Sequence, residues 1–153
     1  MVPIREYKEY WDEMVNRITN LKEAILVSDE KDLGKKIKDV KLFPILVATV
    51  PSSDPDSVDE DNIGESNSCL LFVLKAVTES DRTDNKYIND MELLQVIMKA
   101  VKDNMKSDMV TCNAPGHSLM SNLNVKSFHQ DPEKNYLGCD GWSLSFKMGS
   151  VGY

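Results

Sequence analysis

Cys112, His117, His129 and Cys139 are the side chains best suited by type to gather a metal, since two thiolates and two imidazoles make a set that zinc accepts. Their spacing is not that of a zinc module. Four, eleven and nine residues intervene, and the chain has no C-x-x-C or H-x-x-x-H pair. Cys112 and His117 can be drawn as a nucleophile and base, but no acid or nucleophile motif frames them. No glycine-rich loop follows a strand and opens a helix, so a phosphate cradle is not expected. The balance favours core thiols and surface histidines, with no catalytic residue and no cofactor. A zinc-stabilised domain stays open as an alternative.

A second chemical signal is the stretch Pro51 to Ser68. It holds Asp54, Asp56, Asp59, Glu60, Asp61 and Glu65 and no basic residue. Asp54, Asp56 and Glu65 fall at the first, third and twelfth positions of a calcium loop, but Val58 and Asp59 occupy the fifth and sixth, where a ligand and a glycine are needed. The expectation is a flexible acidic loop whose carboxylates meet a protein partner in an assembly.

The elements that must position these groups are read from periodicity. Tyr87, Ile88, Met91, Leu94, Ile97, Met98, Val101 and Met105 recur every three or four residues and predict a helix over Asn85 to Lys106, capped by Ser80 or Thr83. Ile4, Tyr7, Trp11, Met14, Ile18, Leu21 and Ile25 predict another, from Pro3 to Leu26, lying across a sheet. Ser28 to Lys41 reads as a charged connector with at most a short surface helix. Leu42 to Val50 is an apolar strand, buried on both faces or near an oligomer interface, and Pro44, which removes a ladder donor, places it at a sheet edge or starts it just after that residue. Cys69 to Val77 is its natural antiparallel partner. Asn113-Ala114-Pro115-Gly116 places a mobile loop over Ser107 to Ser121. Leu123 to Phe128 is a modest strand and Asp131 to Asn135 a turn. A last strand runs from Tyr136, where Trp142, Leu144, Phe146 and Met148 alternate with polar residues. Gly138 and Gly141 suggest a bulge or close backbone approach there. The sum is one α+β domain over residues 1–153, an antiparallel four-stranded sheet with two long helices in the order α-β-β-α-β-β.

Composition sets the outer bounds. With 41% hydrophobic and 28% charged residues, the chain is ordinary for a globular domain. A formal charge of -7 argues against a general nucleic-acid binder, though a negative wall lets DNA slide past. No run reaches the roughly 20 apolar residues of a membrane span. Met1 to Glu13 lacks the apolar core of a signal peptide, so a cytoplasmic site of synthesis and reduced cysteines are expected.

The element order, the long stretch Pro51 to Ser68 and the closing strand Tyr136 to Met148 resemble the tail terminator and neck (head–tail joining) proteins of tailed bacteriophages. The resemblance spans most of the chain and is topological. It implies a non-enzymatic virion protein, assembled in the host cytoplasm, that forms a homo-oligomeric ring, hexamers included, at the tail end or neck. Other neck or tail proteins would be its partners, and DNA would pass through the lumen without specific binding. It also implies that the apolar strand Leu42 to Val50 finds cover in the next subunit. The other open reading is a small intracellular adaptor whose acidic loop binds a basic protein.

Overall fold

The computed structural model describes residues 2–59, 62–78, 80 and 82–151, with backbone alone at 55–59, 62–64 and 150–151. Helix α1, Ile4–Arg17, buries Tyr7, Tyr10, Trp11 and Met14 along one face. It ends nine residues short of the expected Leu26. Ile18 is already extended, and Asn20 takes a left-handed φ of 78°, a conformation asparagine tolerates better than most residues. The apolar spacing continues through Leu21 and Ile25, but Glu23–Val27 is strand β1. There the β-branched run pairs in parallel with strand β2, Ile45–Thr49, and tertiary pairing overrides a helical period.

Parallel neighbours need a crossover, and Ser28 to Pro44 supplies it. Within it α2, Glu30–Ile37, is capped by Asp29, whose carboxylate accepts from the Asp32 backbone N–H at 2.8 Å. Leu33 is its one fully buried residue.

Of the stretch expected as a loop, Ser52–Asp59 and the residues from Asn62 to Ser68 are strand. β3, Ser52–Asp59, pairs antiparallel with β4, Asn62–Ala76, from Ser52 opposite Ser68 to Asp59 opposite Asn62, with a register shift between Ser57 and Asp59. A run of serines and aspartates carries no apolar alternation. What holds it in strand form is backbone pairing to β4, which is itself paired along its other edge, from Gly64 to Ala76, by β6, Cys139–Val151. Helix α3, Asp84–Val110, is longer than expected and is capped by Thr83. The expected loop over Ser107 to Ser121 therefore shrinks, since its start is the last turn of α3 and His117–Met120 forms the short helix α4. β5, Leu123–Tyr136, runs through the expected turn at Asp131 to Asn135, although its pairing to β6 shifts register between Glu133 and Tyr136 and Asn135 has a φ of 54°. Pro132 is tolerated because β5 is an edge strand. The chain turns instead at Leu137 and Gly138, which have φ of 53° and 79°.

The fold is α+β. Its sheet is mixed and six-stranded, in the order β1-β2-β4-β6-β5 with β3 also on β4, and only β1 and β2 run parallel. Gly141 marks a close approach: a Cβ there would sit 1.9 Å from the Val73 carbonyl oxygen. On the front of the sheet, α1 and α3 seal a core of Trp11, Met14, Leu46, Val73, Met98 and Phe146. On the reverse, α2 covers Val27, Ile45 and Val47 and leaves the rest of the face to side chains alone. β2 is thus buried on both faces within its own chain, so its apolar character needs no second subunit.

Candidate functional site: two opposed surfaces

The sequence-selected metal ligands do not converge. Cys112 is exposed beyond α3, while Cys139 is buried in the reverse-face core. His129 Nε2 lies 2.9 Å from the Asp131 carboxylate on the exposed strand β5. Nδ1 of His117 donates to the Asp108 carbonyl at 3.0 Å. Among the described residues, no group of three or more histidine, cysteine or acidic side chains is placed to hold a metal. The acidic set is also dispersed. Asp54 is exposed on β3, Asp56 and Asp59 lie further along that strand, and Glu65 is on β4, its backbone opposite Pro55. Glu60 and Asp61 lie outside the described residues. A calcium loop is incompatible with paired strands at these positions.

What the structure assembles instead is a groove on the front and a trough on the reverse. The groove, about 460 Å³, runs between α1 and α4. Glu6, Glu9 and Glu13 form one wall, with spacings of three and four residues that place them along one flank of the helix. Pro115, Ser118 and Leu119 form the other. Its floor is built from a buried polar cluster. Tyr10 donates to Asp108 Oδ2 at 2.7 Å, and Arg17 donates to both Asp108 oxygens at 3.0 and 2.8 Å. Burial, then the bond to Asp108, pushes the Tyr10 hydroxyl far above its ordinary value, so it stays a donor. Gly116 packs against Tyr10, where a Cβ would fall 2.2 Å from a ring carbon. Arg17 is the one cation lining the groove and is committed to Asp108, so the three glutamates give the groove a negative wall.

The trough, about 530 Å³, lies on the reverse face beside α2. Phe72 and Leu70 floor it, Val27 and Leu33 close one end, Val50 stands at the rim, and Tyr136 stacks on Phe72 with ring centroids 5.2 Å apart. Next to it, α2 turns Lys31, Lys35 and Lys38 outward, opposite Leu33. Lys36, by contrast, is tied to Asp32 at 3.2 Å and to the Leu26 carbonyl at 2.7 Å. Asp29 and Glu30 are the acids at the trough's α2 end.

A third feature is polar and structural. Lys75 pairs with Asp90 at 2.8 Å and Arg82 with Asp140 at 3.3 Å where β4, β6 and the start of α3 meet. Asp140 also accepts from the Asn135 backbone N–H at 2.8 Å, which locks the β5–β6 turn. A niche of about 90 Å³ lies beside the pair.

Neither surface was legible from single residues. The glutamate and lysine stripes are plain in the sequence, but they become surfaces only once α1 and α2 are known to flank opposite faces of one sheet. The class defined by this geometry is a sheet domain with one sealed face, one partly bare face, and opposite charge on the helices of the two. No protein-family model matches the chain, and no curated protein matches its sequence. Among the described residues, no helix is long and apolar enough to cross a membrane.

Proposed function

We propose that this chain is a non-enzymatic structural subunit that assembles with copies of itself into a ring, in the tail terminator or neck position of a tailed-phage virion. The observation that carries the proposal is the uncovered trough. Val50 is exposed at its rim, and half-buried Leu70 and Tyr136 lie beside a buried Phe72 on a sheet face that α2 covers only in part; exposed apolar surface of this kind supports an interaction site. The groups best suited to chemistry are engaged in holding the fold: Asp108 by Tyr10 and Arg17, and His117 by the Asp108 carbonyl. In this reading the paired strands β3 and β4 form part of the ring wall, and the acids Asp54 and Glu65 on them are available to contacts with neighbouring rings. A formal charge of -7 suits a conduit along which DNA moves without adhering.

Native mass spectrometry across a concentration series tests this. A metal-free ring of fixed subunit number is the expected result. A monomer at every concentration, or one zinc ion bound per 17.3 kDa chain, would overturn it.

A further inference from the structure

We infer that the ring contact is head to tail and is set by antiparallel pairing of α1 on one copy with α2 on the next. The inference rests on the ring reading above and names its interface. Both stripes span seven residue steps, Glu6 to Glu13 and Lys31 to Lys38, about 10.5 Å at the helical rise. Their internal spacings are mirror images. Reading up α1, the glutamates step by three and then four; reading down α2 from Lys38, the lysines step by three and then four. An antiparallel alignment therefore puts Glu6 against Lys38, Glu9 against Lys35 and Glu13 against Lys31 in a single register. A parallel alignment matches only the ends.

Lys38, the C-cap, keeps right-handed helical angles of -66° and -26°, so the lysine stripe holds helical geometry over its whole length. Antiparallel helices also bring opposite dipole ends together. Pro115 and Leu119 stand across the groove from the glutamates and add apolar surface beside the acidic stripe. The trough lies on the same reverse face as α2 but on its Leu33 side, opposite the lysines, and its charged lining is Asp29 and Glu30. The register is therefore set by the pairing of acid with base. Asp29 and Glu30 are the like charges that this register keeps at the end of α2, outside the lysine stripe.

The symmetry follows from the placement. α1 lies on the front of the sheet and α2 on the reverse. A twofold contact through either patch would set glutamate on glutamate or lysine on lysine. Only a heterologous contact satisfies both patches, and heterologous contacts close into rings or run on as filaments.

Charge reversal in three chains tests the pairing, with assembly read by light scattering on a sizing column at about 50 mM salt, where screening is weak. One chain carries Glu6→Lys, Glu9→Lys and Glu13→Lys; the second carries Lys31→Glu, Lys35→Glu and Lys38→Glu; the third carries all six. The positions are exposed, so circular dichroism and melting temperature should match the parent in all three. Each triple change is expected to raise the concentration needed for assembly by about tenfold or more, and the six-fold change to restore it. An equimolar mixture of the two triple variants is expected to assemble with alternating subunits. Unchanged assembly in either triple variant, or no recovery in the six-fold variant, would overturn the pairing and leave the ring standing. A parent chain that stays monomeric under these conditions would remove both.

Discussion

The two faces of the sheet bury their apolar residues to different ends. On the front, Leu71 and Val73 of β4 lie opposite Leu144 and Trp142 of β6, and α1 and α3 cover them. On the reverse, the same two strands set Phe72 and Leu70 beside Ser143 and Ser145. A strand with one dry and one wet face alternates apolar and polar residues, as β6 does. β4 is apolar on both faces from Leu70 to Leu74, although only its front is sealed by helices. The front is what one chain needs to fold. The surplus on the reverse is what that chain offers to another.

If this division holds, front substitutions should act on stability. Trp11 is fully buried against Tyr7, Tyr10 and Phe146, and Trp11→Ala should cost about 4 kcal/mol. Chemical denaturation of the monomer would read it, and a cost under about 1 kcal/mol would deny that α1 is part of the core. Asp108→Ala should follow at about 3 kcal/mol, because it leaves Arg17 and the Tyr10 hydroxyl without their partner at the groove floor. Gly141→Ala should be comparable, since its Cβ would collide with the Val73 carbonyl and the β4–β6 ladder would have to part locally.

The reverse face should respond differently. Val50 is 40% exposed at the trough rim, so Val50→Ser should change monomer stability by no more than about 0.5 kcal/mol. Its effect should fall on assembly, with about a tenfold higher concentration required. A loss of stability in place of a loss of assembly would mean that the trough belongs to the core after all.

This division also explains what could be read from the sequence. α3 and the last strand were legible because each buries one regular stripe, and Thr83, one of the two proposed caps, holds the first turn of α3. α1 was over-extended because Leu21 continues the helical spacing yet is buried beyond the helix end, ahead of β1. β3 was invisible because Ser52, Ser53, Asp54 and Asp56 show no alternation; backbone pairing to β4 holds them. The close approach at Gly141 was anticipated from glycine alone. The groove and trough were not, because each draws on elements far apart in the chain. The six acids of Pro51 to Ser68 stand out by density, whereas the glutamates of α1 matter by spacing.

The smallest expected effect concerns the thiols, one on each face. Burial raises Cys69 on the front and Cys139 on the reverse, each from an ordinary value near 9 to about 11, with Asp140 adding to the shift at Cys139. A group whose folded value is raised favours the folded state while it stays protonated. That contribution is complete below pH 9 and is lost as pH rises through about 11. The melting temperature should therefore fall between these limits, and less steeply in a Cys69→Ala, Cys139→Ala chain. Removing one thiol at a time sharpens the comparison between faces. Cys139 belongs to the reverse-face cluster with Phe72, whereas Cys69 borders the trough but its thiol meets Tyr7 in the front core. If assembly seals the reverse face, ring formation should therefore slow labelling of Cys139 by a thiol reagent more than labelling of Cys69. Equal protection of both would mean that the contact does not cover the reverse face. Exposed Cys112 serves as the internal reference for reagent activity.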